Sequence, residues 1–292
     1  MGEASLPLPR PAAPGPRGST LGRRLRASWQ VRIGGSILVA LISVAFLAPY
    51  LAPYDPSQPN IPERFGGPSR AHLFGTDNLG RDLFSRVVYG SRVSLQIGLI
   101  SVGIAFAWGV ALGLLAGFYP RLEPPIMRSM DVLLAFPGLL LAIAILGALG
   151  PSLTNAMIAV GIAGVPSFVR ITRSAVLRVR TQEYVEASRA VGAADVRILV
   201  RHVLPNITSE IIVTTTLGLA GAILAASVLS FLGLGAQPPT PEWGAMVFSA
   251  KDFLDLAPHS TLFPIVAIFV TVLGFNFLGD GLRDALDPRL YR

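Results

Sequence analysis

The sequence predicts an all-α, polytopic membrane protein with six transmembrane helices. Two figures carry this: the chain is 52% hydrophobic, and only 14% of its residues are charged. A soluble domain carries about 25% charged residues. The third observation is the spacing of the charges, which leaves apolar stretches of the length a bilayer demands, about 20 residues for a helix. The expected organisation is a disordered basic tail over 1–32, a first span over 33–54, a loop with an interfacial helix over 55–92, and a core over 93–292. That core holds five further spans and a polar segment at 170–210.

Each span is read between successive charges. Arg32 and Asp55 enclose the first, Arg92 and Arg121 the second. Asp131 to Arg170 is too long for one helix. Gly147-Ala148-Leu149-Gly150-Pro151-Ser152 breaks it, because Gly and Pro punctuate helices, and a tight hairpin of two spans results. Glu210 and Glu242 enclose the fifth, apolar over 211–235, and Asp255 and Asp280 the sixth. Residues 1–32 are rich in Pro, Gly and Arg without apolar period, as in a disordered tail. The first apolar stretch exceeds a signal h-region and lacks an A-x-A-like site, which favours a retained span over a cleaved leader.

Orientation follows from the basic residues, which concentrate on the cytoplasmic side of membrane proteins. With six spans, 18 of the 24 Lys and Arg fall on the side that holds both termini and 170–210, and 6 on the other. Both termini are therefore expected in the cytoplasm. The same bias accounts for the net charge of +7 without nucleic acid, since no basic stripe interleaved with aromatics is present.

The composition excludes several chemistries. Without cysteine there is no disulfide, thiolate metal site or cysteine nucleophile. His72, His202 and His259 have no ligand-spaced partners, and there is no H-E-x-x-H or G-x-S-x-G. The only lysine, Lys251, lies between Ala250 and Asp252, outside any P-loop, so an ATPase driving this chain is another chain. The span interiors hold no ionisable residue by these boundaries. That counts against an ion-coupled secondary carrier, although backbone carbonyls also bind sodium.

Segment 170–210 is the most informative. Thr181 is a candidate helix cap, with Glu183 in the first turn. Gly192 breaks that helix. A second shows Val196, Leu199, Val200 and Val203 at i, i+3, i+4 and i+7, and Pro205 is expected to stop it. The small Ala187, Ser188 and Ala190 admit close approach of a partner, and Glu186 offers it a charge. On these residues alone, protein docking and lipid-surface contact both fit.

Glu186-Ala187-Ser188, Gly192 six residues after Glu186, and Leu204-Pro205 twelve after Gly192 resemble the E-A-A…G…L-P loop of binding-protein-dependent ABC importer permeases. Two positions depart from that pattern. Ser188 replaces the second Ala, and His202 stands where Ile is usual. The second departure resembles the R-H-x-L-P-N form of the dipeptide/oligopeptide (peptide/nickel) subfamily, here Arg201-His202-Val203-Leu204-Pro205-Asn206. Further segments resemble its C-type subunit: Phe74-Gly75-Thr76-Asp77-Asn78-Leu79-Gly80-Arg81-Asp82, Met127-Arg128-Ser129-Met130-Asp131-Val132-Leu133-Leu134-Ala135-Phe136-Pro137, Ser230-Phe231-Leu232-Gly233-Leu234-Gly235-Ala236-Gln237-Pro238-Pro239, and Gly279-Asp280-Gly281-Leu282-Arg283-Asp284-Ala285-Leu286-Asp287-Pro288.

The resemblance implies a type I ABC importer permease fold in a bacterial or archaeal cell membrane. It implies a homologous second permease, two P-loop ATPase subunits that hold ATP and Mg, and an extracytoplasmic solute-binding protein. No cofactor is expected on this chain and no catalysis. Glu186, Ala187, Ser188, Gly192, Leu204 and Pro205 would form the ATPase-coupling segment, with Arg189 adding charged contacts. The cargo would be di- or oligopeptides, with nickel chelates, glutathione or another small solute as alternatives.

Two readings concern the other side. Thr76 or Asp77 would cap an interfacial helix burying Leu83, Phe84, Val87 and Val88 and leaving Arg81, Asp82 and Arg86 polar. Trp243 would anchor at the interface or meet the binding protein. The glycines of 109–117 and 218–221 invite a substrate-path reading, but close helix packing is the favoured expectation.

Overall fold

The structure, a computed structural model, describes residues 21–286. The order is α1 (Leu21–Ala27), α2 (Trp29–Leu51), α3 (Leu83–Phe118), α4 (Glu123–Leu134), α5 (Gly138–Leu149), α6 (Leu153–Arg180), α7 (Glu183–Ala190), α8 (Asp195–Ile198), α9 (Leu204–Phe231), α10 (Trp243–Ala250) and α11 (His259–Leu286). Five helical runs are long and apolar enough to cross a membrane, and the bent pair α4–α5 makes a sixth. The expected tail is helical from Leu21 onward, and residues 1–20 lie outside the described residues.

Helix α2 starts at Ser28, whose side chain accepts from the N–H of Val31. It buries only Gly34, Leu38, Ala45 and Ala48, the first two against α11 and the Ala45 end beside Arg92 of α3, and leaves the rest of its apolar surface outward, as a lipid-facing span does. At Gly34 a Cβ would lie 2.5 Å from the Leu278 nitrogen, so this crossing admits no larger residue.

Helix α3 runs along α6 in a close seam. Gly109, Gly113 and Gly117 share one face at intervals of four. An added Cβ would meet Phe168, Thr172 and Val176 at 2.2, 2.5 and 2.6 Å. The packing expectation holds there. It fails at Gly218 and Gly221: the first has only ordinary contacts, the second has nothing within 4 Å, and both face a cavity.

No separate interfacial helix forms in 55–92. The caps expected at Thr76 and Asp77 are displaced to Asp82, whose carboxylate accepts from Ser85 N–H at 2.7 Å and starts the 36-residue α3 directly. The polar face expected of Arg81, Asp82 and Arg86 is buried as well. Asp77 pairs with Arg81 at 2.7 Å and Arg86 at 3.5 Å, and Arg86 donates to the Pro56 carbonyl. Charges enter this loop because each finds a partner.

The hairpin forms as expected. Gly150 ends α5 at φ +86°, Ser152 caps α6, and the Asn155 amide holds the Leu149 carbonyl at 2.9 Å. The preceding span departs from expectation, because α4 and α5 meet at 89°. Pro137 is the cause: it lacks an N–H and pushes Phe136 out of helical conformation.

Helix α10 is a short apolar return between α9 and α11. The fully buried Glu242 caps it, accepting from Gly244 and Ala245 N–H at 2.9 and 2.8 Å. Burial raises its pKa against the opposing pull of those hydrogen bonds. Trp243 is neither an interfacial anchor nor a docking residue. It is 1% exposed, donates Nε1–H to the Val87 carbonyl at 3.0 Å and packs over Gly90 of α3.

Candidate functional site

Segment 181–206 folds as a helix-turn-helix fastened to the ends of α3 and α6. Thr181 does not cap α7. Its hydroxyl instead donates back to the Arg178 carbonyl and closes α6, while Gln182 precedes α7 without capping it, its side-chain amide donating to the same Arg178 carbonyl at 3.3 Å. Glu183 and Glu186 lie in the first turn of α7, where the helix dipole favours carboxylates. After Ala190 the chain turns through Gly192 at φ +81°. Ala193 N–H bonds the Ser188 carbonyl and Gly192 N–H the Arg189 carbonyl, a Schellman closure that requires the left-handed residue at that point. Nothing lies within 4 Å of a Cβ there, so backbone conformation, not space, selects glycine.

Pro205 does not stop the second helix. Residues 195–231 form one helical run, and Leu199–Val203 within it is a π turn in which Leu204 N–H reaches back to the Leu199 carbonyl. The Asn206 side chain donates to the His202 carbonyl at 2.7 Å. The wider turn accommodates the missing donor of Pro205 without a break. It also shifts the buried face. Ile198, Val203 and Ile207 are fully buried, whereas Val196 and Val200 of the expected stripe are 69% and 61% exposed. An i, i+5 step replaces i, i+4 across the turn.

The buried side of the motif joins the main core. Val185, Ile198, Val203 and Ile207 cluster with Val176 and Val179 of α6 and Phe118 of α3. Arg180 caps α3 by donating to the Gly117 carbonyl at 3.0 Å, and Arg189 lies 5.8 Å over the Phe118 ring. Leu204 is half-buried, and Glu186, Ala187, Arg189, Gly192 and Pro205 are exposed. The structure therefore brings the predicted residues onto one motif.

Ser188 and His202, the two departures from the general pattern, meet. Ser188 Oγ donates to the Tyr184 carbonyl at 2.8 Å and lies 3.3 Å from His202 Nε2. With its proton committed to Tyr184, the hydroxyl accepts from Nε2–H, which assigns that tautomer. Their separation of 14 residues hid this pair from any helical-period reading.

Arg170, Arg173 and Arg178 of α6 are tied to carboxylates of neighbouring helices. Arg170 pairs with Asp131 at 2.7 Å, Arg173 with Glu123, and Arg178 with Glu210 of α9. The last pair stands at the mouth of a cavity of about 1550 Å³ between α3, α5, α6, α9 and α11. It extends from Val102 and Ala105, past Gly218 and Gly221, to Gln182 and Tyr184 beside α7. That exceeds the ~300–1,000 Å³ of an ordinary ligand pocket.

Fold and site together define a polytopic transport subunit: a helical bundle around a large cavity, with an exposed helix-turn-helix at one end of it. Comparison with known proteins makes this specific. Residues 109–292 match the family "Binding-protein-dependent transport system inner membrane component", and 20–68 match the N-terminal TM domain of oligopeptide transport permease C. The chain belongs to this family of non-catalytic, multi-pass inner-membrane permeases of ABC importers. It is 48% identical to the dipeptide transport system permease protein DppC of Alkalihalophilus pseudofirmus, over 92% of this chain and 88% of that one. It is 49% identical to the di/tripeptide permease DppC of Pseudomonas aeruginosa, over 88% of each chain. It is also 49% identical to the glutathione permease GsiD of Pectobacterium atrosepticum, over 88% of this chain and 86% of that one. The fold is that of a chain in inward-facing structures of the MetNI methionine ABC transporter, with TM-score 0.58, 19% identity, and coverage of 69% of this chain and 97% of that one.

Proposed function

We propose that this permease carries short peptides, di- or oligopeptides, into the cytoplasm. It forms half of the pathway beside a homologous second permease. Two P-loop ATPase subunits holding ATP and Mg serve it from the cytoplasm, and an extracytoplasmic solute-binding protein delivers the cargo. Both termini and α7 lie in the cytoplasm, as the distribution of 18 basic residues against 6 supports. Glutathione, itself a tripeptide, is the second cargo reading, because relatives named for glutathione and for dipeptides are equally similar.

Glu186, Ala187, Ser188 and Gly192 form the coupling element in the ATPase cleft, with Arg189 beside them and Leu204-Pro205 joining it to α9. The single observation that carries this is the continuity of α7 with both walls of the cavity: α6 leads into it, and 195–231 leads out in one helical run. A displacement of α7 therefore acts on the cavity directly.

The test is ATP-dependent peptide uptake in proteoliposomes holding the whole importer. Glu186→Arg is expected to abolish uptake and release the ATPase subunits on purification. Uptake driven by an ion gradient with no ATPase present would instead make the chain a secondary carrier and overturn the proposal.

A further inference from the structure

A second pocket, of about 310 Å³, opens between α7 and α8, and its walls include Ser188, Gly192, Arg197, Arg201 and His202. Arg170, Arg173, Arg178 and Arg180 of α6 are all engaged. Among the described residues Arg197 and Arg201 have no carboxylate partner. Both line this one pocket. Beside them Val191, Val196 and Val200 are 85%, 69% and 61% exposed.

Cations beside exposed valines suit either an anionic lipid surface or a protein. Helix length decides between them. The run 195–231 has 37 residues, about 55 Å at 1.5 Å each, against about 40–45 Å for a bilayer with its headgroups. The Arg178–Glu210 pair is the first charged level met on leaving the apolar run of α9. Asp195 stands 15 residues beyond Glu210, about 22 Å further along the helix. The valines and arginines therefore stand clear of the lipid.

We infer that the α7–α8 pocket receives an acidic side chain of the ATPase subunit, with Arg197 and Arg201 as its cationic walls and Val191 as its apolar edge, next to the exposed Val196 and Val200. This rests on the reading of α7 as the docking element. It adds a contact of opposite sign. Glu183 and Glu186 offer negative charge from α7, while Arg197 of α8 and Arg201 of the π turn offer positive charge. A surface with both signs admits one orientation of its partner and penalises the reverse, which gives specificity as well as affinity. The apolar rim distinguishes a protein side chain from a free phosphate, which gains nothing from valines.

The chain contains no cysteine, so Val196→Cys carrying a photoreactive maleimide reports on its surroundings in the assembled importer. The expected crosslink is to the ATPase subunit, beside an Asp or Glu. Arg197→Glu with Arg201→Glu should weaken retention of the ATPase by on the order of tenfold or more, most at low salt. Arg197→Lys with Arg201→Lys should retain most of it, and reversing the crosslinked acidic residue to Arg should restore the Glu pair. A crosslink to lipid, or unchanged retention by the Glu pair, overturns the inference. Glu186→Arg separates the two ideas: if it releases the ATPase while the Glu pair does not, only the pocket is wrong. If neither releases it, the docking reading fails too. Should the Glu pair not fold, the Val196→Cys crosslink on the otherwise native chain decides.

Discussion

The Ser188–His202 contact admits a quantitative test, because its partners lie on different helices and can be changed separately. Ser188→Ala removes the hydroxyl. His202→Ile restores the residue usual in the wider family. A neutral hydrogen bond contributes about 0.5–1.5 kcal/mol net. At 3.3 Å this one is long against the usual range, and both side chains are half-buried. A value of about 0.5–1 kcal/mol is therefore expected, roughly a two- to fivefold change in an equilibrium. The readout is hydrogen exchange of the α7 amides, which follows local opening. Each single change should speed exchange, and the double change should speed it by two- to fivefold less than the product of the singles. The higher helix propensity of Ala enters both arms of the cycle and cancels. A double variant matching the product within error would show that the two residues do not interact and refute the assignment.

Three further outcomes follow from the packing and the charges. Gly113→Ala places a Cβ 2.5 Å from that of Thr172 and 2.9 Å from the Val169 carbonyl. Overpacking costs about 1–3 kcal/mol, against a gain of about 1 kcal/mol for replacing a helical glycine. Gly103→Ala on the same helix meets nothing within 4 Å and keeps only the gain. Melting of the purified protein should move in opposite directions for the two, and equal shifts would contradict the seam. Arg178→Glu and Glu210→Arg should each reduce peptide taken up per ATP hydrolysed, with the charge-swapped double recovering. A partly exposed pair is worth only about 0.2–1 kcal/mol, so a swap no better than the worse single would show that the pair does not join α6 to α9. At His72, burial lowers the pKa, but the hydrogen bonds and charges of Asp82 and Glu63 outweigh it and leave the value raised above 6.5. Its stabilisation is full below the unfolded value and fades as pH rises through the folded one. The melting temperature should fall more between about pH 6 and about pH 8 than in His72→Gln, and parallel profiles would remove His72 from the linkage.

The spans were legible because a bilayer imposes one strong rule on composition, and the stretches flanked by Arg32, Arg92, Arg170 and Asp255 obey it. The Gly150 hairpin was legible because glycine and serine have local roles there. Interactions between distant residues were not. Asp77 reads as a cap until Arg81 and Arg86 close on it. Trp243 reads as an interfacial anchor because nothing nearby in sequence announces Val87 and Gly90. Pro205 reads as a stop because the ordinary helix ladder has no place for it, and a π turn changes the ladder. The bend at Pro137 was in principle visible, since Phe136-Pro137 carries the local signal. The charged α4, with Glu123, Arg128 and Asp131, reads as loop, so the apolar stretch after Asp131 alone reads as the span.

The distribution of tight contacts bears on how the bundle works. At one end, Glu242 caps α10 and Gly244 sits against the Ser227 backbone of α9. Trp243 pins the same helix to α3, and the Ser260 hydroxyl of α11 donates to the Thr76 carbonyl at 3.4 Å. Buried contacts lock α3, α9, α10 and α11 there. At the other end the cavity separates α6 from α9, and their visible ties are the exposed Arg178–Glu210 pair and the packing beneath α7. Under the coupling role proposed for α7, a force on it reaches α6 and α9 where the cavity lies between them. Helices are stiff along their axes and the α3–α6 seam leaves no room to slide. Under that coupling role, a tilt of α6 against α9 would change the width of the cavity between them.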